Sequence, residues 1–311
     1  MFKKAINLIE KSNNIVIVSH KNPDADTIGS MLGLGISLKT IKKKVSYFNI
    51  EKELPKKFDF LPSYSKIKNT FPKYCDLIIS VDCGSFDRVG ILKENFYILN
   101  IDHHKTNTLF GDINIINKDY ASTSMVVFEL LKYAKYKISP ECATCLYTAL
   151  VEDSGYFKFD RVNAKTFEDA SELINFGAKP NKIANLLTNR NSLAKLRLMQ
   201  IYLSSMELKK YAKICICRLS IDDFKKSGAL ISDSENLVQI GLSLATVELS
   251  IFMYELQNKQ YKISLRSKNG IDCSEIAIYY GGGGHKKSAG FTVDLKDIDD
   301  IIDNILKKVD R

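Results

Sequence analysis

A histidine and two aspartates follow the first strongly apolar run of the chain. The run Ile15–Ser19 predicts a buried strand, His20 ends it, and Asp24 and Asp26 lie in the proline-containing turn beyond it. Carboxylate oxygens combined with an imidazole nitrogen suit Mn²⁺ or Fe²⁺. Either aspartate taken alone is equally explained as a turn residue or as a helix N-cap.

Three later apolar runs also end in acids or histidines. In chain order these residues are Asp82, then Asp102, His103 and His104, and then Glu152 and Asp153. The carboxyl ends of parallel strands lie at one edge of a sheet, and open α/β sheets bind ligands there. Because three of the chain's four histidines occupy such positions, the pattern predicts a metal centre at this edge.

The elements that must position these residues alternate through the first half of the chain. Strands are predicted at 15–19, 45–48, 77–81 and 97–101, and helices at 27–41, 122–136, 141–151 and 164–176. Continuous apolar strands that alternate with helices indicate a parallel sheet covered on both faces. We therefore expect an α/β domain over residues 1–190.

The pattern changes after residue 190. One helical run covers 192–209, and the segments beyond it predict a smaller α/β domain, with strands at 212–219, 245–256 and 260–266 and helices at 273–280 and 297–309. The glycine-rich run that begins at Gly281 and ends before His285 predicts a loop whose amides can approach a phosphate. Arg266 ends a predicted strand, and a guanidinium group binds phosphate bidentately. Arg88 and Arg190 are weaker candidates, and a surface role is favoured for both.

Together these motifs resemble the DHH phosphoesterase superfamily. The resemblance rests on the stretch 24–30, on Asp82 and on the Asp102-His103-His104 triplet. The run 281–291 resembles the DHHA1 substrate-binding module of the nanoRNase and pAp phosphatase branch, which includes cyclic di-AMP and pApA phosphodiesterases. The stretches 101–114 and 264–267 are similar to that branch as well, so the likeness covers nearly the whole chain.

The resemblance implies two divalent metal ions, with Mn²⁺ favoured, and a bridging role for Asp82. The implied ligands are His20, Asp24 and Asp82 for one ion, and Asp26, Asp82, His103 and Asp153 for the other. His104 would be catalytic and face the substrate phosphate, while Asp102 would orient the histidines. Glu152 departs from the threonine usual in the family, which puts local substrate contacts in doubt.

The resemblance also implies a domain order. It places a DHH catalytic domain at 1–190, a helical linker at 191–209 and a DHHA1 domain at 210–311. The substrate contacts implied in that last domain are Arg266, Ser267, Gly282, Gly283, Gly284 and His285.

The function implied is hydrolysis of short oligonucleotides, pApA or 3′-phosphoadenosine 5′-phosphate (pAp) by attack of water activated between two metal ions. A cyclic di-AMP phosphodiesterase remains an alternative. An inorganic pyrophosphatase or polyphosphatase is disfavoured by the nucleotide-directed second domain. A non-catalytic nucleic-acid binding protein would be expected to lack a metal ligand, yet every position is filled.

The composition of the chain indicates the cellular compartment and the charge of its substrates. The formal net charge is +9, and we ascribe it mainly to solvated lysines, with a contribution to the attraction of polyanionic substrates. Seven scattered cysteines argue against a disulfide framework and for a reducing compartment, so we expect a cytoplasmic protein. No segment is apolar enough to predict a membrane span, and a homodimer is left open.

Overall fold

The chain folds as two units, Met1–Arg190 and Asn191–Arg311. The computed structural model describes residues 1–93, 96–268 and 270–308. Each unit contains one six-stranded sheet. The predicted α/β class is confirmed for both units.

The sheet of the first unit is entirely parallel. Its strands are β1 (Asn14–Val18), β2 (Lys44–Phe48), β3 (Ile67–Lys68), β4 (Leu77–Val81), β5 (Ile98–Asp102) and β6 (Ile113–Ile116). They lie in the order β3-β2-β1-β4-β5-β6, and every neighbouring pair is parallel. The strand order reverses between β1 and β4, so the crevice for a ligand is expected beyond the carboxyl ends of these two strands.

Both faces of this sheet are buried, which explains the continuous apolar runs. In β1, Ile15 and Ile17 pack into one core, while Val16 and Val18 pack into another on the opposite face. The helices are α1 (Phe2–Lys11), α2 (Ala25–Thr40), α3 (Thr123–Ala134), α4 (Pro140–Asp153), α5 (Ala164–Asn175) and α6 (Pro180–Thr188). Their buried residues join the first core, whereas aromatic residues of loops cover the opposite face.

The second unit is a mixed sheet with helices. Its elements are α7 (Leu193–Ser204), β7 (Glu207–Lys209), β8 (Ile214–Leu219), α8 (Ile221–Ser227), α9 (Leu237–Leu242), β9 (Leu249–Leu256), β10 (Gln260–Ser267), α10 (Cys273–Tyr279), β11 (Gly283–His285), β12 (Ser288–Asp294) and α11 (Ile298–Lys308). The strand order is β11-β12-β10-β9-β8-β7. Only β8 and β9 pair in parallel; the other neighbours are antiparallel. Val309, the end of the last predicted helix, lies outside the described residues.

The segment 191–209 belongs to this second unit. Its helix α7 ends at Ser204, so the run predicted as one helix to residue 209 is shorter, and β7 pairs with β8 instead. Leu198 and Tyr202 of α7 are fully buried in a core that also contains Phe252 of β9. The helix is therefore packed against its own sheet.

The glycine-rich run is a loop, as predicted, only at Gly281 and Gly282, and its second half belongs to a strand of a β-hairpin. Gly283, Gly284 and His285 make up β11, which pairs with the start of β12. A Cβ atom on Gly282 would lie 2.3 Å from the carbonyl oxygen of Gly290. The close packing of Gly282 against Gly290 and Phe291 of β12 therefore requires glycine here, independently of any ligand.

Two further features concern the chain as a whole. Among the described residues, none of the helices combines the length and apolar character needed to cross a bilayer. All seven cysteines are buried and free, as expected from their scatter.

Candidate metal centre

His20 lies just beyond the end of β1. Its Nδ1 atom is 2.6 Å from the carbonyl oxygen of Lys21, and its Nε2 atom is 2.7 Å from Thr27 Oγ1 and 3.7 Å from Asp82 Oδ2. When Nδ1 carries the proton and donates it to the carbonyl, Nε2 keeps a free lone pair, which is the form that binds a metal.

Asp24 and Asp26 are set by the start of α2. Asp24 is the N-cap, and its Oδ1 accepts the N–H of Thr27 at 3.0 Å. Asp26 is buried, and it accepts the backbone N–H groups of Thr123 at 2.6 Å and Ser124 at 3.0 Å, the first two residues of α3. The unsatisfied donors of a helix N-terminus therefore hold this carboxylate.

Asp82 follows β4 immediately and contacts the first turns of both α2 and α3. Its Oδ2 accepts the hydroxyl of Thr27 at 2.6 Å and its Oδ1 accepts the hydroxyl of Thr123 at 3.0 Å. Its backbone is left-handed, with φ 56°, a conformation in which aspartate and asparagine are enriched. Burial alone would raise the pKa of Asp82, but contact with His20 and the charge of the neighbouring histidines hold it well below its usual range.

His103 joins three carboxylates. Its Nε2 is 3.3 Å from Asp153 Oδ2, 3.7 Å from Asp82 Oδ1 and 3.9 Å from Asp26 Oδ2. Its Nδ1 is 3.0 Å from the carbonyl oxygen of Tyr120. Burial lowers the pKa of His103, so the ring is neutral near pH 7, as metal binding requires.

His104 has a different partner. Its Nδ1 is 2.7 Å from Oδ1 of Asp102, a buried carboxylate that also accepts the backbone N–H of His103 at 2.7 Å and the Asn107 side-chain amide at 2.5 Å. Burial lowers the pKa of His104, but the hydrogen bond to Asp102 and the charge of Asp82 outweigh it and raise the value to about 9. The Asp102 contact therefore favours the protonated form of His104.

The donor atoms gather closely enough to hold cations. Among the described residues, ligand atoms lie within 4.8 Å of one another in three overlapping sets: His20, Asp24 and Asp82; Asp26, His103 and Asp153; and Asp82, His103 and His104. Burial and the surrounding carboxylates raise the pKa values of Asp26 and Asp153 well above normal. Divalent ions would offset this repulsion, so the donor set fits them. All six predicted metal ligands and His104 are thus brought together.

Glu152 is held away from these sets. Its carboxylate accepts the ammonium group of Lys57 at 2.9 and 3.0 Å and the hydroxyl of Tyr156 at 2.6 Å. This acid therefore has its own countercharge.

Two arginines beside the centre were missed by sequence reasoning. Arg88 Nη2 lies 3.2 Å from His20 Nδ1, and Arg161 Nη1 lies 3.1 Å from His103 Nδ1. The surface role predicted for Arg88 does not include this contact, whereas Arg190 does form a surface ion pair with Asp59. No spacing in the sequence connects an arginine with a distant histidine, so only the fold reveals these neighbours.

In the second unit, two of the predicted substrate residues lie in one row. Arg266 of β10 and His285 of β11 both pair with Ser288 of β12, so their side chains share one face of the sheet. Ser267 lies on the other face, is buried, and donates its hydroxyl to the carbonyl of Ile271 at 2.8 Å. A Cβ atom on Gly283 would meet nothing within 4 Å. A substrate role for Arg266, Ser267, Gly282, Gly283, Gly284 and His285 stays a prediction.

Comparisons with known proteins agree with this arrangement. Residues 14–150 match the DHH family, N-terminal domain, and residues 216–311 match the DHHA1 domain. Over 299 residues the chain is 30% identical to the bifunctional oligoribonuclease and PAP phosphatase NrnA of Thermus thermophilus, covering 95% of this chain and 89% of that protein.

Solved structures give the same picture. The crystal structure of an exopolyphosphatase-related protein from Bacteroides fragilis is 29% identical and superposes with a TM-score of 0.92, covering 99% of this chain and 95% of that one. RecJ of Thermus thermophilus, solved in complex with Mn²⁺, is 14% identical with a TM-score of 0.54, over 96% of this chain and 53% of RecJ. The RecJ likeness shows a shared fold.

The fold and the donor cluster define a hydrolase of phosphate esters with a site suited to divalent metal ions. The chain belongs to the DHH family and carries the DHHA1 domain of that family in its second unit.

Proposed function

We propose that this protein is a Mn²⁺-dependent phosphoesterase that degrades very short oligoribonucleotides, including pApA, and removes the 3′ phosphate of pAp. The relative in Thermus thermophilus is named for both activities and is 30% identical along nearly its whole length. The observation that carries the proposal is that Asp82 belongs to two of the three donor sets, one of which also contains His104.

Asp82 is suited to bridge two ions because each of its two oxygens lies near the imidazole nitrogen of a different candidate metal ligand. One oxygen lies near His20 and the other near His103, at 3.7 Å in each case. The proposed ligands are His20, Asp24 and Asp82 for one ion and Asp26, Asp82, His103 and Asp153 for the other. Bound divalent ions supply a nucleophile at neutral pH and neutralise charge on the phosphate.

The chain's own groups complete the chemistry. Nδ1–H of His104 donates to Asp102, and in the protonated ring the other nitrogen also carries an N–H that can donate to a phosphate oxygen or protonate the leaving oxygen. Asp102 fixes the orientation of that ring. In the second unit, Arg266 and His285 are proposed to recognise the nucleotide, since they share one sheet face and a guanidinium group binds phosphate bidentately.

Mn²⁺ is proposed over other ions because carboxylates and imidazoles of this mixture suit it, and because RecJ, which shares the fold, was solved with Mn²⁺. The seven free cysteines support a reducing compartment, and we place the protein in the cytoplasm. A homodimer stays a prediction.

The test is a turnover panel with Mn²⁺, using pAp, pApA, RNA of two to ten nucleotides, cyclic di-AMP and pyrophosphate. We expect pAp and the shortest RNAs to be the best substrates. Preference for cyclic di-AMP or for pyrophosphate would overturn the proposal.

The variant Asp82→Asn tests whether the measured turnover depends on the metal centre. Asparagine tolerates the left-handed backbone, so the variant is expected to fold, yet it cannot bridge two cations. Added Mn²⁺ should raise the Tm of the wild type by mass action and leave that of Asp82→Asn unchanged. The exposed Asp119→Asn serves as the control and should behave like the wild type. An active Asp82→Asn enzyme would contradict the bridging role.

A further inference from the structure

The segment after Asp153 leaves the metal centre and returns to it. At its start, Asp153 Oδ2 is 3.3 Å from His103 Nε2. At its end, Arg161 Nη1 is 3.1 Å from His103 Nδ1. Residues 154–160 therefore form a short loop whose flanking residues, Asp153 and Arg161, both contact the ring of His103.

The loop contains a left-handed turn that its residue types disfavour. Gly155, Tyr156 and Phe157 have φ values of 60°, 58° and 62°. Bulky side chains rarely adopt this conformation, and such strain is concentrated at functional sites. Hydrogen bonds hold it, from Tyr156 N–H to the Val151 carbonyl at 2.8 Å and from Phe157 N–H to Ser154 Oγ at 3.1 Å.

Phe157 and Phe159 lie in or next to this turn, but their rings have different neighbours. The ring of Phe157 stacks on Phe167, with centroids 5.1 Å apart. Phe159 keeps 55% of its surface exposed, although its ring covers the backbone of Gly155 so closely that a Cβ atom there would be 2.5 Å from the ring. Phe159 is thus ordered by contact on one side and open to solvent on the other.

Glu152 holds the ring of Tyr156, which lies in the same turn. It accepts the hydroxyl of Tyr156 at 2.6 Å and is itself paired with Lys57 at 2.9 Å. The Lys158 ammonium group stands 5.9 Å from the centroid of the Tyr156 ring. These contacts hold the Tyr156 side chain, and with it the start of the turn.

We propose that Phe159 is a stacking surface for the nucleobase of the nucleotide whose phosphate is bound at the metal centre, with the Glu152–Tyr156 contact holding the turn. This inference rests on the proposed function. A rigid aromatic face is suited to bases because every base presents a π-face, and stacking of this kind tolerates any sequence. The strained turn then has a purpose, since it holds the ring within a loop whose two flanking residues contact His103.

A fluorescence experiment tests the surface directly. The chain contains no tryptophan, so Phe159→Trp introduces its only indole. In the Mn²⁺-loaded variant, excited at a wavelength that adenine does not absorb, AMP should quench the emission and ribose 5-phosphate should not. Emission that is unchanged by AMP, or changed equally by both compounds, would overturn the proposal.

Kinetics give a second readout with substrates that differ only in the base. Phe159→Ala should raise KM for pAp about 10-fold, the scale of one lost base–aromatic stack. The base-free analogue ribose 3,5-bisphosphate should be affected little. Phe159→Leu keeps the apolar contact with Gly155, so it separates stacking from folding: it should lose affinity like the alanine variant, whereas Phe159→Tyr should retain it.

Tyr97→Ala is the control. Tyr97 is 64% exposed and precedes β5, at the opposite end of the strand from His103. Equal effects of Phe159→Ala and Tyr97→Ala on pAp would overturn the stacking surface while leaving the proposed function intact. If the wild type turned over neither pAp nor short RNA, the proposed function would fail, and quenching by AMP would still decide whether Phe159 stacks on a base.

Discussion

Two adjacent histidines acquire different properties from the acceptor that each one meets. Nδ1 of His103 faces the neutral carbonyl of Tyr120, while Nδ1 of His104 faces the Asp102 carboxylate. Burial lowers the pKa of His103, whereas the carboxylate contact leaves that of His104 raised to about 9. The first ring is thereby suited to bind metal and the second to act on a phosphate as a cation.

This difference predicts the behaviour of His104→Gln. The variant should lose about 10²–10⁴-fold in kcat, the usual contribution of a proton-transferring group, while its affinity for Mn²⁺ changes little. Calorimetric titration of Mn²⁺ beside steady-state kinetics measures both quantities. A variant that lost its metal and kept its activity per bound ion would show that His104 is a ligand instead.

The pH dependence of kcat tests the protonation state of His104. Because the active form of His104 is protonated, kcat should fall as pH rises through the pKa of the ring, at or below about 9 once bound cations lower it. Asp102→Asn removes the charge that raises this pKa, so the falling limb should move to lower pH. A limb that stays in place would contradict the role of Asp102.

At the scale of elements, the centre depends on how closely α2 and α4 approach each other. Asp26 lies in the first turn of α2 and Asp153 ends α4, so the contact between these helices sets the distance between the two acids. Gly29 permits the contact, because a Cβ atom there would lie 2.5 Å from the carbonyl oxygen of Cys145 and 2.8 Å from Cβ of Ala149.

Gly29→Ala should therefore destabilise the protein, although alanine favours helices by about 1 kcal/mol. Overpacking typically costs about 1–3 kcal/mol, and the nearest atom belongs to backbone, which cannot rotate away. We expect a lower free energy of unfolding in urea and weaker binding of Mn²⁺. Ser171→Ala, at an exposed position of α5, is the matched control and should leave both unchanged. A more stable Gly29→Ala variant would refute the close contact.

The sequence predicted the elements that carry strong apolar patterns and missed those made by pairing. Strand β4 at Leu77–Val81 coincides with its prediction, because a strand buried on both faces is apolar throughout. Strand β11 was missed because Gly283 and Gly284 disfavour strands, and only β12 makes them one. Helix α7 was predicted too long because its apolar spacing continues into β7, whose pairing with β8 no local pattern reveals.

The candidate site divides in the same way. The positions of its candidate metal ligands were predictable because histidine and aspartate at strand ends are informative by type and position, while their role as ligands stays a prediction. The contacts of Arg88 and Arg161 with histidine rings were not, because each joins residues more than fifty positions apart in the chain.

At the scale of the whole molecule, the two units carry different chemistry. The donor sets for metal ions all lie in the first unit. The second unit presents Arg266 and His285 on one face of its sheet, on either side of Ser288. Burial of Arg266 lowers its pKa, and among its described contacts is a hydrogen bond to the neighbouring Leu265 carbonyl at 2.9 Å. Anion binding by this guanidinium group stays a prediction.

This division predicts a selective defect. If Arg266 and His285 bind a second phosphate or a base, then Arg266→Ala and His285→Ala should each lower kcat/KM for pAp or pApA by roughly 10–150-fold, because loss of a charge-assisted contact costs about 1.5–3 kcal/mol. Hydrolysis of p-nitrophenyl phosphate should change little, since that ester carries neither a second phosphate nor a nucleoside. Bound Mn²⁺, measured by elemental analysis, should be the same in the wild type and in both variants.

Arg218→Ala provides the control within the same unit, because Arg218 forms a surface ion pair with Asp299 at 3.0 Å. Equal losses on the nucleotide and on the simple ester would place Arg266 and His285 in the catalytic machinery or in the folding core instead.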